Sequence, residues 1–150
     1  RLGISESEWT ERLFPAVLLP AVGQGALGVE IRADDSETAS FVRQLDHPPS
    51  HLAAAAERAM LAHLHGGCLA PVAAWARMEQ NQLLLTGRVL HSTGQQMLQL
   101  TESVEISVDQ ASSAPLEAEV FQKAVDLGRR LADLLLAQGA DQLIQASRTP

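Results

Sequence analysis

Two consecutive prolines, Pro48 and Pro49, constrain the fold of this chain more than any other feature. Proline lacks the amide proton that helix and sheet ladders use, and it drives the preceding residue out of the helical region. His47-Pro48-Pro49 therefore stops what comes before it and divides the 150 residues into a front part, 1–47, and a back part, 48–150. In the front part the pattern predicts a short helix over Glu6–Leu13, and the apolar run Phe14–Leu19, interrupted at Pro15 and followed by Pro20, reads as a connector with a buried strand. Gly23, Gly25 and Gly28 then allow close backbone approach, and Ala26–Arg32 alternates as a strand does. Asp34, Asp35 and Ser36 supply caps for a short helix through Phe41, Val42 and Leu45.

The back part has a different rhythm. Ser50 is placed to cap a helix in which Leu52, Ala56, Ala59, Met60 and Leu64 recur at helical spacing, with Gly66 and Gly67 ending it. Val72–Met78, Leu83–Leu90 and Met97–Val108 are strand candidates separated by polar turns, the pattern of an antiparallel meander. Beyond Ser112, Ser113 and Pro115 a long helix carries Val120, Ala124, Leu127, Leu131, Leu134 and Leu135 on one stripe, closed by Gly139, and a short strand over Gln142–Ala146 follows. The expected class is α+β, a three-stranded antiparallel sheet covered by helices on one face.

Charge narrows the partners. Eighteen acidic residues outnumber eleven basic ones, a net charge of −7. No surplus positive field exists to attract nucleic acid or an anionic membrane. Any anion site is local, and the basic residues suit one, since Lys123 is the only lysine and the other ten are arginines, which grip carboxylates bidentately. A single cysteine, Cys68, excludes an intramolecular disulfide and a cysteine-rich zinc site, and points to a reducing compartment. No apolar stretch approaches the roughly 18 residues that span a bilayer. The chain opens on Arg1-Leu2-Gly3 without an initiator methionine, and a fragment is expected.

Cys68 is the first candidate for chemistry. Gly66 and Gly67 strip away side chains before it and present the sulfur on an accessible loop, which suits covalent attachment; the alternative is a small buried hydrophobe. A helix C-terminus is the negative end of the dipole and does not favour a thiolate, so an activated hydrolytic nucleophile with His63 or His65 is a poor fit. Gly23-Gln24-Gly25 is not a dinucleotide fingerprint. His47, His51, His63, His65 and His91 show no metal spacing and no carboxylate partners, so they read as surface residues and no metal is expected.

Two strings are more specific. Leu-Pro-Ala-Val-Gly-Gln-Gly-Ala-Leu-Gly-Val-Glu-Ile-Arg, Leu19 to Arg32, closely resembles a signature of the porphobilinogen deaminase (hydroxymethylbilane synthase) family. Ala56, Glu57, Arg58, Ala59 and Met60, followed at matching distance by Gly66, Gly67, Cys68 and Pro71, resembles its second signature. The resemblance implies a cytoplasmic transferase of tetrapyrrole synthesis that joins four porphobilinogen units into linear hydroxymethylbilane, losing ammonia at each step. It implies three domains: two α/β lobes hinged like periplasmic binding proteins, and a small α+β domain whose cysteine holds a dipyrromethane primer by a thioether. Cys68 matches that cysteine, with Gly66 and Gly67 as its hinge. Arg32 matches a cleft arginine that pairs with pyrrole acetate and propionate groups, against the alternative of a surface pair with Asp34 or Asp35. Gln24 matches a cleft glutamine, against the alternative of a turn residue, and Arg58 reads as structural.

By the same resemblance, residues 1 to about 19 correspond to the end of the second domain, about 20–46 to the returning strand and helix of the first, and the back part to the third. The catalytic aspartate lies in the family's first two domains, so no catalytic residue is expected here and the fragment alone is expected to be inactive. The parent is expected to be a monomer acting on porphobilinogen and the growing pyrrole chain, whereas the orphan strand 26–32 invites self-association of the fragment. A rival reading is a free-standing small-molecule-binding or regulatory α+β module with a structural cysteine. A thiol hydrolase ranks third.

Overall fold

The computed structural model describes residues 13–67, 70–107, 109, 111 and 116–147. Its elements are α1 (Ser36–Val42, continued by a 3-10 turn at Arg43–Leu45), α2 (Pro48–His63), β1 (Val72–Glu79), β2 (Gln82–Leu90), β3 (Met97–Glu105), α3 (Ala118–Ala137) and α4 (Ala140–Ala146). The expected helix over Glu6–Leu13 lies outside the described residues apart from Leu13 itself. Asp35 caps α1 as expected, its carboxylate accepting from the Thr38 amide at 2.9 Å and the Thr38 hydroxyl at 2.7 Å.

The proline pair opens a helix. Pro48 and Pro49 occupy the first two positions of α2, where their missing amide protons have no intrahelical acceptor to lose and a fixed φ is already helical. The cap residue is consequently His47 and not Ser50, whose hydroxyl lies 2.8 Å from His47 Nδ1. The expected stripe is buried: Leu52, Ala56, Met60 and Leu64 face the core, joined there by Glu57.

The meander forms with order β1-β2-β3 and antiparallel pairs such as Ala74↔Gly87 and Thr86↔Thr101. A two-residue turn, Gln80-Asn81, joins β1 to β2, with Gln80 at φ +54°. β3 ends at Glu105, short of the expected Val108, which is not among the described residues; Ile106 leaves the ladder but is fully buried. Period-two burial puts Val72, Ala74 and Ala76, then Leu83, Leu85 and Val89, on one face under the helices. α3 adds Val120, Ala124, Leu127, Leu131 and Leu135 to that core, while Leu134, at the margin of the stripe, stays 40% exposed. α2 and α3 meet at Gly128, where an added Cβ would sit 2.2 Å from the Ala56 carbonyl oxygen, so the two backbones touch. The class is therefore α+β, a three-stranded antiparallel sheet with its helices on one face.

Three expected strands are absent among the described residues. Gln142–Ala146 belongs to α4, because Ala140, Leu143 and Ile144 bury at helical spacing directly after Gly139, which turns the chain at φ +92°. Phe14–Leu19 forms turns instead of a buried strand, with Phe14, Val17 and Leu18 exposed and Leu19 alone buried. Ala26–Arg32 pairs with no strand, and Leu27 is 98% exposed. A strand without a ladder partner leaves its backbone groups to water, so the alternation is there and the strand is not.

The front segment nevertheless holds to the sheet as a strap. On the face away from the helices, Arg88 Nη1 and Nη2 donate to the Val17 and Ala16 carbonyls at 3.2 and 3.4 Å. At the free edge of β1 the Ala74 amide donates to the Pro20 carbonyl at 3.1 Å, beside an antiparallel bridge between Ala21 and Ala73.

Candidate functional site around the helix end and the glycine turn

Cys68 and Leu69 lie outside the described residues, so the flanking positions define how the chain leaves α2 and enters β1. α2 ends in a left-handed cap. His65, at φ +51°, donates its amide to the Ala62 carbonyl, and the Gly66 amide reaches the Leu61 carbonyl, both at 3.1 Å. The expected terminator was Gly66-Gly67; the left-handed position belongs to His65, and Gly66 serves a different need. An added Cβ there would lie 2.6 Å from Leu61 Cδ1, whereas one on Gly67 would meet nothing within 4 Å. The chain is thus packed tightly one residue before Gly67 and open at it. The Gly67 carbonyl accepts from the Ala70 amide at 2.9 Å, leading into β1.

Gly23-Gln24-Gly25, in the first signature, forms a turn. Gly23 and Gly25 take φ +69° and +83°, the Gln24 amide donates to the Ala21 carbonyl, and the Gln24 side chain is exposed between them. Glu57 reaches this turn from α2. Its Oε2 accepts from the Gly23 amide and its Oε1 from the Ala76 amide of β1, each at 2.7 Å. The residue is only 7% exposed. Burial pushes its carboxyl up from the ordinary glutamate value, and the Ala76 and Gly23 amides, which favour the charged form, oppose that shift without cancelling it.

The remaining candidates are scattered. Arg32 is exposed, its Nε 3.8 Å from Asp34 Oδ1, a pair whose side chains are 85% and 84% exposed. Arg58 is exposed and makes no ion pair among the described residues. Among the described residues no hydrogen bond or ion pair links Gln24 or Arg32 to Gly66 or Gly67. The histidines differ from expectation in one respect, since two have carboxylate partners: His51 Nδ1 lies 3.3 Å from Asp46 Oδ1, and His63 Nε2 lies 2.6 Å from Asp133 Oδ1 on α3. Among the described residues no group of three metal-binding side chains occurs, and no helix is long and apolar enough to cross a membrane.

Glu57 is the site residue that motif reading passed over. It stands inside the second signature, but its own signal is positional: it lies three residues before Met60 and next to Ala56, on the inward side of α2, where an unpaired carboxylate is costly.

The family model described as porphobilinogen deaminase, C-terminal domain, matches residues 51–137. A second, described as porphobilinogen deaminase, dipyromethane cofactor binding domain, matches residues 1–40. The chain belongs to the porphobilinogen deaminase family. Relatives bearing that name include proteins of Desulfitobacterium hafniense, 39% identical over 97% of this chain and 42% of the relative, and of Moorella thermoacetica, 43% identical over 86% of this chain and 36% of the relative. A porphobilinogen deaminase of Shouchella clausii is 36% identical over 99% of this chain and 43% of its own length. The chain thus spans about two fifths of the length of these relatives. Within the porphobilinogen deaminase matches, Gly23-Gln24-Gly25 falls in one and Glu57, Gly66, Gly67 and Ala76 in the other, so the Glu57 carboxylate joins the two matched segments.

Proposed function

We propose that this chain is the C-terminal, primer-bearing portion of a cytoplasmic transferase that joins four porphobilinogen units into hydroxymethylbilane with release of ammonia. The observation that carries this reading is the pair of family matches, which together take in the Gly23-Gln24-Gly25 turn and the Gly66-Gly67-Cys68 sequence. Residues 1–47 are then the remnant of two α/β lobes and 48–150 the attachment domain. Porphobilinogen and the growing pyrrole chain are its partners, and the catalytic residues belong to the part of the relatives that this chain does not span.

The flanking geometry suits dipyrromethane held by a thioether at Cys68. At Gly67 an added Cβ would meet nothing within 4 Å, so no close packing crowds the residue before Cys68, while the cap at His65 and Gly66 fixes where the loop starts. Attachment needs one C–S bond to the methylene carbon of a porphobilinogen unit; the C–N bond breaks, and the thiol proton leaves on the ammonia. Once bound, the group supplies a pyrrole carbon for chain extension. Arg32, held among the described residues only by an exposed pair at 3.8 Å that contributes about a few tenths of a kcal/mol, is accessible to a pyrrole carboxylate. Gln24, presented on its turn, is accessible in the same way. Without the rest of the enzyme, the exposed apolar residues of segment 26–32 favour self-association.

The test is the intact denatured mass of the complete enzyme, with peptide mapping around Cys68. An adduct of two linked pyrrole units on Cys68 is expected; turnover of porphobilinogen by an enzyme carrying an unmodified Cys68 overturns the assignment.

A further inference from the structure

Buried carboxylates are costly, and Glu57 is retained where it is nearly enclosed and where its two amide partners come from segments 34 and 19 residues away. Among the described residues no cationic side chain lies within ion-pair distance of it. What the carboxylate does is geometric. One oxygen takes an amide on the free edge of β1, and the other takes the amide of the glycine that opens the Gln24 turn. Among the described residues the strap is also held by the Pro20 carbonyl with the Ala21–Ala73 bridge at the same edge, by Arg88 on the far face, by the buried Leu19 and by Val22, which packs partly buried against the core. All of these act before Gly23. At Gly23 and Gly25 an added Cβ would meet nothing within 4 Å, so the turn itself stands clear of close packing where the Glu57 bond reaches it.

We propose that Glu57 is a positioning residue, a clasp that holds the Gly23-Gln24-Gly25 turn, and through it the Gln24 side chain, in fixed register with α2 and so with the start of the loop that carries Cys68. Its importance for turnover rests on the function proposed above; the clasp itself does not. α2 runs without a break from Glu57 to its cap at His65 and Gly66, so one element carries both the clasp and the root of the loop. Gln24 then reports the position of the attachment domain, and displacement of that domain either takes the turn with it or opens the Glu57–Gly23 bond.

Residue-resolved hydrogen exchange on this chain tests the clasp. In Glu57→Ala the Gly23 amide is expected to exchange at least tenfold faster, while amides of the β2–β3 ladder keep their wild-type rates. Unchanged Gly23 exchange with an intact ladder overturns the proposal. If Glu57→Ala does not fold, the bond is read directly in the wild-type chain as a through-hydrogen-bond scalar coupling between the Gly23 nitrogen and the Glu57 carboxyl carbon, and absence of that coupling overturns the proposal. In the complete enzyme with Cys68 loaded, Glu57→Ala is expected to raise KM for porphobilinogen at least fivefold with a smaller change in kcat. Fast Gly23 exchange with unchanged KM overturns the role of Gln24 in substrate positioning and leaves the clasp standing.

Discussion

Two carboxylates in this chain respond to their surroundings in opposite directions, and each direction carries a pH signature. Asp35 is held below its ordinary value first by the Thr38 amide and then by the Thr38 hydroxyl, both of which favour the charged form. Its contribution to stability is therefore present above the ordinary aspartate value and is lost as pH falls through the lowered one. Glu57 is raised, chiefly by burial. The folded state binds its proton more readily than the unfolded state, so its contribution is fully present below the ordinary glutamate value and is lost as pH rises through the raised one. Urea midpoints measured from about pH 3 to pH 8 check both signs. The difference between wild type and Asp35→Asn should shrink toward acid, whereas the difference between wild type and Glu57→Gln should move in favour of wild type toward acid. Opposite slopes would overturn the assignment of cause.

At the scale of elements, α2 and α3 meet backbone to backbone. Alanine at Gly128 would bring its Cβ against the Ala56 carbonyl oxygen at 2.2 Å and the Met60 amide at 2.9 Å, and backbone cannot yield as a side chain does. Gly128→Ala is expected to destabilise by about 3 kcal/mol, comparable to truncating a buried leucine such as Leu131. Gly66→Ala clashes with the flexible tip of Leu61, while Ala70 Cβ and the Leu61 carbonyl oxygen stand at 3.4 Å, and it is expected to cost less than about 1 kcal/mol. Chemical denaturation of the two variants checks the order; equal losses would mean that α2 and α3 separate easily. The same elements show what could be read in advance. The stripes of α2 and α3, the meander and the Asp35 cap were legible because periodicity and capping act within a few residues. Ser50 was misplaced as a cap because a proline pair serves equally well to end one segment and to start a helix. Gln142–Ala146 looked like a strand because five residues cannot separate two periods, and only the position after Gly139 decides for helix. Glu57 was invisible as a clasp because its partners, Gly23 and Ala76, are distant in sequence.

For the molecule as a whole, its two parts are unequally covered. The back part closes a core around Leu52, Met60, Leu85, Leu127 and Leu131, while Phe14, Leu27, Val29, Phe41 and Leu45 in the front part each remain more than half exposed. Apolar surface of that extent, held on a strap and a short helix, seeks cover. Light scattering of this chain is expected to give a mass above that of one copy, falling toward one copy in a Leu27→Ser, Val29→Ser variant. A single-copy mass for wild type, with residues 20–46 ordered, would show that the surface needs no cover. One feature of the core bears on how the molecule can move. Because α2 and α3 touch backbone to backbone at Gly128, no layer of side chains lies between them there to act as a bearing. The pair is therefore expected to move as one body, a fixed post from which the chain departs at Gly67.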